Sequence, residues 1–255
     1  MPGARLLPDL ARCAFFFDLD GTLAPLAPTP DAARVPAGTI ALLQRLQQAC
    51  GAVAIVSGRS QAVIDQMLAP LRLPVSGLHG AQWRGPDGRI WELSVNEDAA
   101  GRLLASLSAI ADRYPGIRLE DKGLSYALHY RQAPEREAEI RLEACAAAEA
   151  VRDDYVVQYG KMVVEVKPRG VDKGQALERF METEPFAARL PVMAGDDLTD
   201  EPAFAVVARL GGLAIKIGEG PSCARANLAD PAALARWLEI LLPPAGHRTG
   251  PALGN

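Results

Sequence analysis

With 255 residues, 49% of them hydrophobic and 23% charged, the chain has ample apolar material for a packed core and no compositional sign of long disorder. Its formal net charge of -4 argues against nucleic acid or an anionic membrane as the main partner, since both select basic patches; an anionic ligand must be met by a few local cations. Cys13, Cys50, Cys145 and Cys223 lie far apart with no C-x-x-C pair, which speaks against a zinc site or a disulfide framework and for a reducing, cytoplasmic setting.

The N-terminal residues 1–12 lack the charged-then-apolar order of a signal peptide, and no apolar run approaches the roughly 20 residues of a membrane span. Residues 13–17 end in three consecutive phenylalanines and predict a fully buried strand, which stops abruptly at Asp18-Leu19-Asp20-Gly21-Thr22. Two acids thus stand at a strand's carboxyl end, where open α/β sheets place ligands, and they require a positive partner. The proline-rich stretch 24–30 cannot be helix and reads as a loop beside the acids. Residues 39–49 carry Ile40, Leu42, Leu43 and Leu46 at helical spacing. A second buried strand at 52–56 closes at Ser57-Gly58-Arg59, a helix follows at 61–68, and a third strand at 75–79 ends in His79-Gly80. Alternating strand and helix predict a parallel, doubly wound α/β sheet of Rossmann-like type.

The rhythm changes at Trp83. Trp83-Arg84 and Ile90-Trp91-Glu92 flank a hairpin turn, and from there the order is helix at 98–114, hairpin at 117–130, helix at 134–151 and hairpin at 155–166. After Pro168 the doubly wound pattern resumes with helix 172–182, strand 190–194, helix 198–208, strand 212–217 and helix 230–242, leaving a proline- and glycine-rich tail from 243 that reads as disordered. The expected organisation is a core of residues 1–96 and 168–255 interrupted by an α+β domain at 97–167.

A carboxylate such as Asp18 can attack phosphorus if the phosphate's charge is neutralised, and Mg²⁺ does so with one or two carboxylates plus phosphate oxygens. Asp196, in Gly195-Asp196-Asp197 at the end of the 190–194 strand, is the natural second ligand. Asp20 stands where it can pass a proton to the leaving oxygen and later take one from water. Ser57, with the backbone N–H groups of Gly58 and beyond, suits phosphate, although Ser57 also reads as a plain helix cap. Lys173, between glycines in Gly170-Val171-Asp172-Lys173-Gly174, is the candidate fixed cation against a surface lysine as the alternative. Asp197, Asp200 and Glu201 fit either a helix start or a metal-linked acid cluster. The same Asp-x-Asp-Gly letters also begin calcium loops. Together these residues point to a Mg²⁺-dependent phosphotransferase.

The four strand ends resemble the haloacid dehalogenase superfamily: Asp18-Leu19-Asp20-Gly21-Thr22, Ser57-Gly58-Arg59, Lys173 and Gly195-Asp196-Asp197 match its four motifs in order. Finer segments, Gly77-Leu78-His79-Gly80-Ala81 and the run from Val164 through Lys173 among them, are similar to trehalose-6-phosphate phosphatases. That resemblance implies Asp18 as nucleophile, Asp20 as acid/base, and Mg²⁺ held by Asp18, the main-chain carbonyl of Asp20 and Asp196, with Asp197 and Asp200 behind them. It makes 97–167 a cap whose Glu120, Lys122 and Glu165 grip sugar hydroxyls, although Glu120 and Lys122, flanking a hairpin tip, also read as solvated turn charges. Arg59, His79 and His129 are further substrate candidates, against the two histidines as plain strand-end residues. Gln82 stands where the family often has an acid, and Pro202 falls in a helix's first turn, where proline is tolerated. The expectation is a monomeric enzyme acting on a phosphorylated disaccharide, trehalose 6-phosphate; a phosphatase or mutase for sucrose phosphate or a mannose phosphate, and a non-catalytic sugar-phosphate sensor, are the alternatives.

Overall fold

The computed structural model describes residues 7–243, so most of the expected disordered tail lies outside the described residues. In chain order the core begins with β1 (Cys13–Phe17), α1 (Ala37–Cys50), β2 (Val53–Val56), α2 (Gln61–Leu68), β3 (Val75–Gly77), β4 (Gln82–Arg84) and β5 (Ile90–Glu92). The intervening α+β unit follows as α3 (Glu97–Arg113), β6 (Arg118–Asp121), β7 (Tyr126–His129), α4 (Glu137–Glu149), β8 (Tyr155–Gly160) and β9 (Val163–Pro168). The chain closes with α5 (Lys173–Met181), β10 (Leu190–Gly195), α6 (Glu201–Arg209), β11 (Leu213–Ile217), β12 (Ala226–Leu228) and α7 (Pro231–Leu241).

Eight strands form one sheet in the order β12-β11-β10-β1-β2-β3-β4-β5. Its strands pair in parallel from β12 to β3, and the β4–β5 hairpin extends that edge antiparallel. The phenylalanine run explains why both faces are covered. Side chains alternate along a strand, so Phe15 and Phe17 join Leu43, Ile55, Ile64 and Leu238 on one side. Phe16 enters the other side, against Phe180 and Phe186 with ring centroids at 5.9 and 5.4 Å. Such a strand is apolar at every position because it is buried on both faces.

The second sheet is antiparallel, β6-β7-β9-β8, so the two sequence hairpins are joined through β7 and β9. One face packs Tyr126, Leu128, Val164 and Val166 under Leu103, Leu107 and Ile140 of α3 and α4. The opposite face turns toward the carboxyl ends of the large sheet. There the register aligns Glu120 with Ala127, Ala127 with Glu165, and Glu165 with Gln158, making a row of polar side chains interrupted by one small residue.

Some boundaries differ from the sequence reading. The third strand stops at Gly77, and Leu78–Gly80 is a 3₁₀ turn with Leu78 and His79 in left-handed backbone. Residues 198–200 form a 3₁₀ turn before α6, whose first turn does hold Pro202. The short edge strand β12, not expected from the sequence, pairs in parallel with β11. No helix among the described residues is long and apolar enough to cross a membrane.

Candidate active site

Asp18 follows β1, Ser57 follows β2, His79 lies just past β3 and Asp196 follows β10, so four strand ends converge on one cleft. Oxygens of Asp18, Asp196 and Asp200 all lie within 4.8 Å of one another, and all three residues are buried. Gly21 makes this approach feasible: it is left-handed at φ 79°, and a Cβ there would fall 2.2 Å from Asp196 Oδ2. Three acids so close would repel strongly without cations between them.

The chain provides lysines. Lys173, the first residue of α5, is itself buried and donates to Asp18 Oδ1 and Asp200 Oδ1, both at 2.7 Å. The other Asp200 oxygen accepts from the Asp197 N–H at 3.0 Å, so Asp200 braces the lysine and the loop together. Burial alone would lower the ammonium's pKa, but Asp18 and Asp200 outweigh it and hold Lys173 protonated far above the ordinary lysine range. Burial pushes the Asp18 carboxyl well up; Lys173 opposes this while Asp200 and Asp196 add to it. Asp196 is raised by burial, with Lys161 opposing, and its Oδ2 accepts from Lys161 Nζ at 2.7 Å. The buried Lys216 of β11 donates to the Asp196 main-chain carbonyl.

The Ser57-Gly58-Arg59 loop sits opposite. Ser57 Oγ accepts from the Arg59 N–H at 3.3 Å, and the Arg59 guanidinium forks onto Asp20, Nε to Oδ2 at 2.6 Å and Nη2 to Oδ1 at 2.7 Å. Arg59, expected among the substrate contacts, lines the cleft and holds Asp20 there. Of the two readings of Ser57, phosphate contact or helix cap, the cap falls away: α2 starts at Gln61, its N-cap is Ser60, and the Gln82 side chain takes up the Gln61 N–H at 2.9 Å. Ser57 is a loop residue facing the cleft.

Above the loop lies the polar row of the smaller sheet. Glu165 is buried, and its Oε1 accepts from Ser125 Oγ at 2.9 Å and lies 3.2 Å from Lys122 Nζ. His79 Nε2 stands 3.1 Å from the other oxygen. Burial would raise this carboxyl, but Lys122, His79 and Ser125 hold it far below the usual range. Lys122 also donates to the Gly58 carbonyl at 3.3 Å. Glu120 meets His129 Nε2 at 2.7 Å, and its carboxyl lies below the usual range because His129 and Lys122 outweigh burial. On the far side Arg118 pairs with Asp31 at 2.8 Å and Arg131 donates to the Ala27 carbonyl at 3.2 Å, joining the smaller sheet to the proline-rich loop.

The sequence-predicted site residues other than Asp200 and Glu201 line, with Arg118, Arg131 and Lys161, a cavity of about 230 Å³ that opens to solvent between the two sheets, whereas Glu201 starts α6 and accepts from the Cys223 N–H. Asp200 sits fully buried behind Lys173. Lys161, Gln158 and Lys216 were missed by the sequence reading. Lys161 is one lysine in a hairpin turn and carries no local signal. Lys216 does carry one, a lysine inside the apolar run Leu-Ala-Ile-Lys-Ile, and burial of that strand forces its ammonium to find an acceptor.

The geometry can be set beside known proteins. The trehalose-phosphatase family model matches residues 16–234. A trehalose-6-phosphate phosphatase of Escherichia coli K12 is 44% identical over 236 residues, 92% of this chain and 88% of that protein. The C-terminal domain of a Candida albicans trehalose-6-phosphate phosphatase superposes with a TM-score of 0.82 at 23% identity, covering 91% of this chain and 92% of the other. A haloacid dehalogenase-like hydrolase of B. subtilis shares the fold at a TM-score of 0.66 and 16% identity, covering 91% and 100% of the two chains.

Proposed function

The chain belongs to the trehalose-phosphatase family and is a phosphoric monoester hydrolase, and from that premise we propose that it hydrolyses trehalose 6-phosphate with Asp18 as nucleophile and Mg²⁺ as cofactor. The observation that carries this is the buried Asp18, held at 2.7 Å by Lys173 within reach of Asp196. The donors there are carboxylate and carbonyl oxygens, hard ligands that suit Mg²⁺ better than a softer metal. Asp18, Asp196 and the Asp20 carbonyl would hold the ion, with Asp197 and Asp200 behind them; once bound, it supplies positive charge against the phosphate.

An Asp18 oxygen attacks phosphorus, the bond from phosphorus to the sugar 6-oxygen breaks, and Asp20 delivers a proton to that oxygen. Water then attacks the aspartyl-phosphate while Asp20 takes its proton, releasing phosphate and restoring Asp18. One of the two Arg59 contacts gives way when Asp20 carries the proton, and the other keeps its direction; Ser57 with Lys173 steadies the phosphate oxygens. Residues 97–167 act as the cap, whose Glu120, Lys122 and Glu165 accept from and donate to sugar hydroxyls. Closure of the cap keeps bulk water from the reacting atoms.

Phosphate release from a panel of trehalose 6-phosphate, sucrose phosphate and mannose phosphates, with EDTA and with added Mg²⁺, tests the reading. Trehalose 6-phosphate should be preferred by at least about 10-fold, the scale of one charged hydrogen bond, and its turnover should vanish in EDTA and return with Mg²⁺. Equal turnover across the panel sinks the substrate assignment, and undiminished turnover in EDTA sinks the metal. Glu120→Ala should lower kcat/KM for trehalose 6-phosphate by about 10- to 100-fold, as loss of a charged acceptor predicts, and lower it far less for a small aryl phosphate. Equal losses on both substrates would remove Glu120 from the sugar grip.

A further inference from the structure

His79 belongs to the core, yet its side chain is spent on the cap. Its left-handed backbone (φ 56°, ψ 23°), next to Leu78 at φ 47°, persists only where the surroundings hold it. The holding bonds come from the phosphate loop: the Leu78 N–H donates to the Arg59 carbonyl and the His79 N–H to the Ser57 carbonyl, each at 3.0 Å. The ring lies directly on Gly58, where a Cβ would fall 2.4 Å from Nε2, so this glycine gives the imidazole its seat.

From that seat the ring meets two residues of the cap sheet. A carboxylate only accepts, so the 3.1 Å contact to Glu165 Oε2 places the proton on Nε2, while the Gln158 amide nitrogen lies 3.3 Å from Nε2 and 3.4 Å from Nδ1 and so packs against the ring without singling out one nitrogen as its acceptor. Burial pushes the imidazole's pKa down, in keeping with a neutral ring. Glu165 and Gln158 are cross-strand partners in the polar row. The division of labour on Glu165 is informative. Its Oε1 is held by the cap's own Ser125 and Lys122, whereas Oε2 is held from the core by His79, so the plane of the carboxylate is set by both domains at once.

We propose that His79 is a positioning residue for substrate selection: seated on Gly58, hydrogen-bonded to Glu165 and packed against Gln158, it aligns the sugar-gripping row of the cap with the Ser57-Gly58-Arg59 loop, so that efficient turnover depends on the sugar as well as the phosphate. This rests on the trehalose-phosphatase reading of the cap given above. Without His79, Glu165 is left to the two cap donors and turns away from the sugar, while the groups around phosphorus stay in place.

The test compares trehalose 6-phosphate with p-nitrophenyl phosphate in His79→Asn and His79→Gln. Asparagine tolerates left-handed backbone but its amide stops short of Glu165; glutamine extends an N–H donor toward it. In His79→Asn, KM for trehalose 6-phosphate should rise about 10-fold, the scale of one hydrogen bond to a charge, with a smaller change in kcat. The loss of kcat/KM on that substrate should exceed the loss on the aryl phosphate several-fold, and His79→Gln should recover part of it. Where His79→Asn fails to fold, His79→Gln carries the test: its split should be smaller than that of Glu165→Gln, because it keeps a donor to Glu165. Equal losses on both substrates in a folded variant, or no loss on either, overturn the proposal. Failure of the wild-type enzyme itself to turn over trehalose 6-phosphate would instead defeat the underlying reading.

Discussion

Asp18→Asn is expected to abolish phosphate release while leaving the protein as stable as the wild type or more so. The amide has nearly the same shape but no nucleophilic oxygen of comparable strength, and losing the nucleophile of a covalent mechanism typically lowers kcat by about 10⁴-fold or more. Stability should move the other way. Asp18 is buried to 4% exposure, within 4.8 Å of two further carboxylates, and burial with those neighbours pushes its carboxyl up despite Lys173. An acid whose folded pKa lies above its unfolded value stabilises the fold below the unfolded value, and that contribution is lost as pH rises through the folded one. Wherever Asp18 is ionised, as a nucleophile must be, it is therefore a burden that asparagine does not carry. In EDTA at about pH 7.5 the variant should melt at the wild-type temperature or a few degrees higher, on the usual scale of about 2–4 °C per kcal/mol. The two should converge as the pH is lowered and Asp18 protonates. Turnover within 10-fold of wild type would remove Asp18 as nucleophile, and a lower melting temperature at neutral pH would mean that Lys173 dominates its environment.

The same crowding explains why so much of this cleft was legible in the sequence. Each buried strand runs apolar until it reaches the surface, so β1, β2 and β10 announce their ends by the first polar residue, Asp18, Ser57 and Asp196. Doubly wound topology then places those ends side by side. Lys173 could be read because acids at a buried strand end demand a cation. What escaped depends on contacts distant in sequence. His79 read as a strand end or a substrate contact, but its bond to Glu165 did not show, since its left-handed turn is held by carbonyls of Ser57 and Arg59 and nothing local demands it. Lys161 meets Asp196 across 35 positions of sequence, from a hairpin turn that ordinarily faces solvent. Gln82 looked like a lost acid, whereas it caps the first amide of α2. The edge strand β12 has three residues and no apolar run, so only its pairing with β11 defines it.

Lys173→Met should inactivate the enzyme and, unlike Asp18→Asn, destabilise it. The substitution keeps an unbranched side chain of similar length but removes two charge-assisted hydrogen bonds of 2.7 Å, leaving Asp18 and the fully buried Asp200 facing each other without their cation. Removing one partner of a buried ion pair costs about 3–5 kcal/mol, because the remaining charge is desolvated and unpaired. For a chain of this size that corresponds to a fall of about 6–20 °C in melting temperature. The loss should depend on pH in a defined sense. In the wild type the raised pKa of Lys173 makes its contribution fully present below the unfolded lysine value, hence throughout the neutral range, and lost only in strong alkali. In the variant the opposing influence of Lys173 on Asp18 is gone, so the Asp18 carboxyl rises further, and the folded state is favoured by protonation. The deficit against wild type should therefore be largest near pH 8 and shrink as the pH falls toward 5. Lys173→Arg should not restore the loss, since a planar guanidinium is larger than the ammonium that fits between the two acids. Thermal melts of the three proteins across that pH range, in EDTA, measure the effect. A deficit that is small or independent of pH would show that Lys173 fills space in this cluster without balancing its charge.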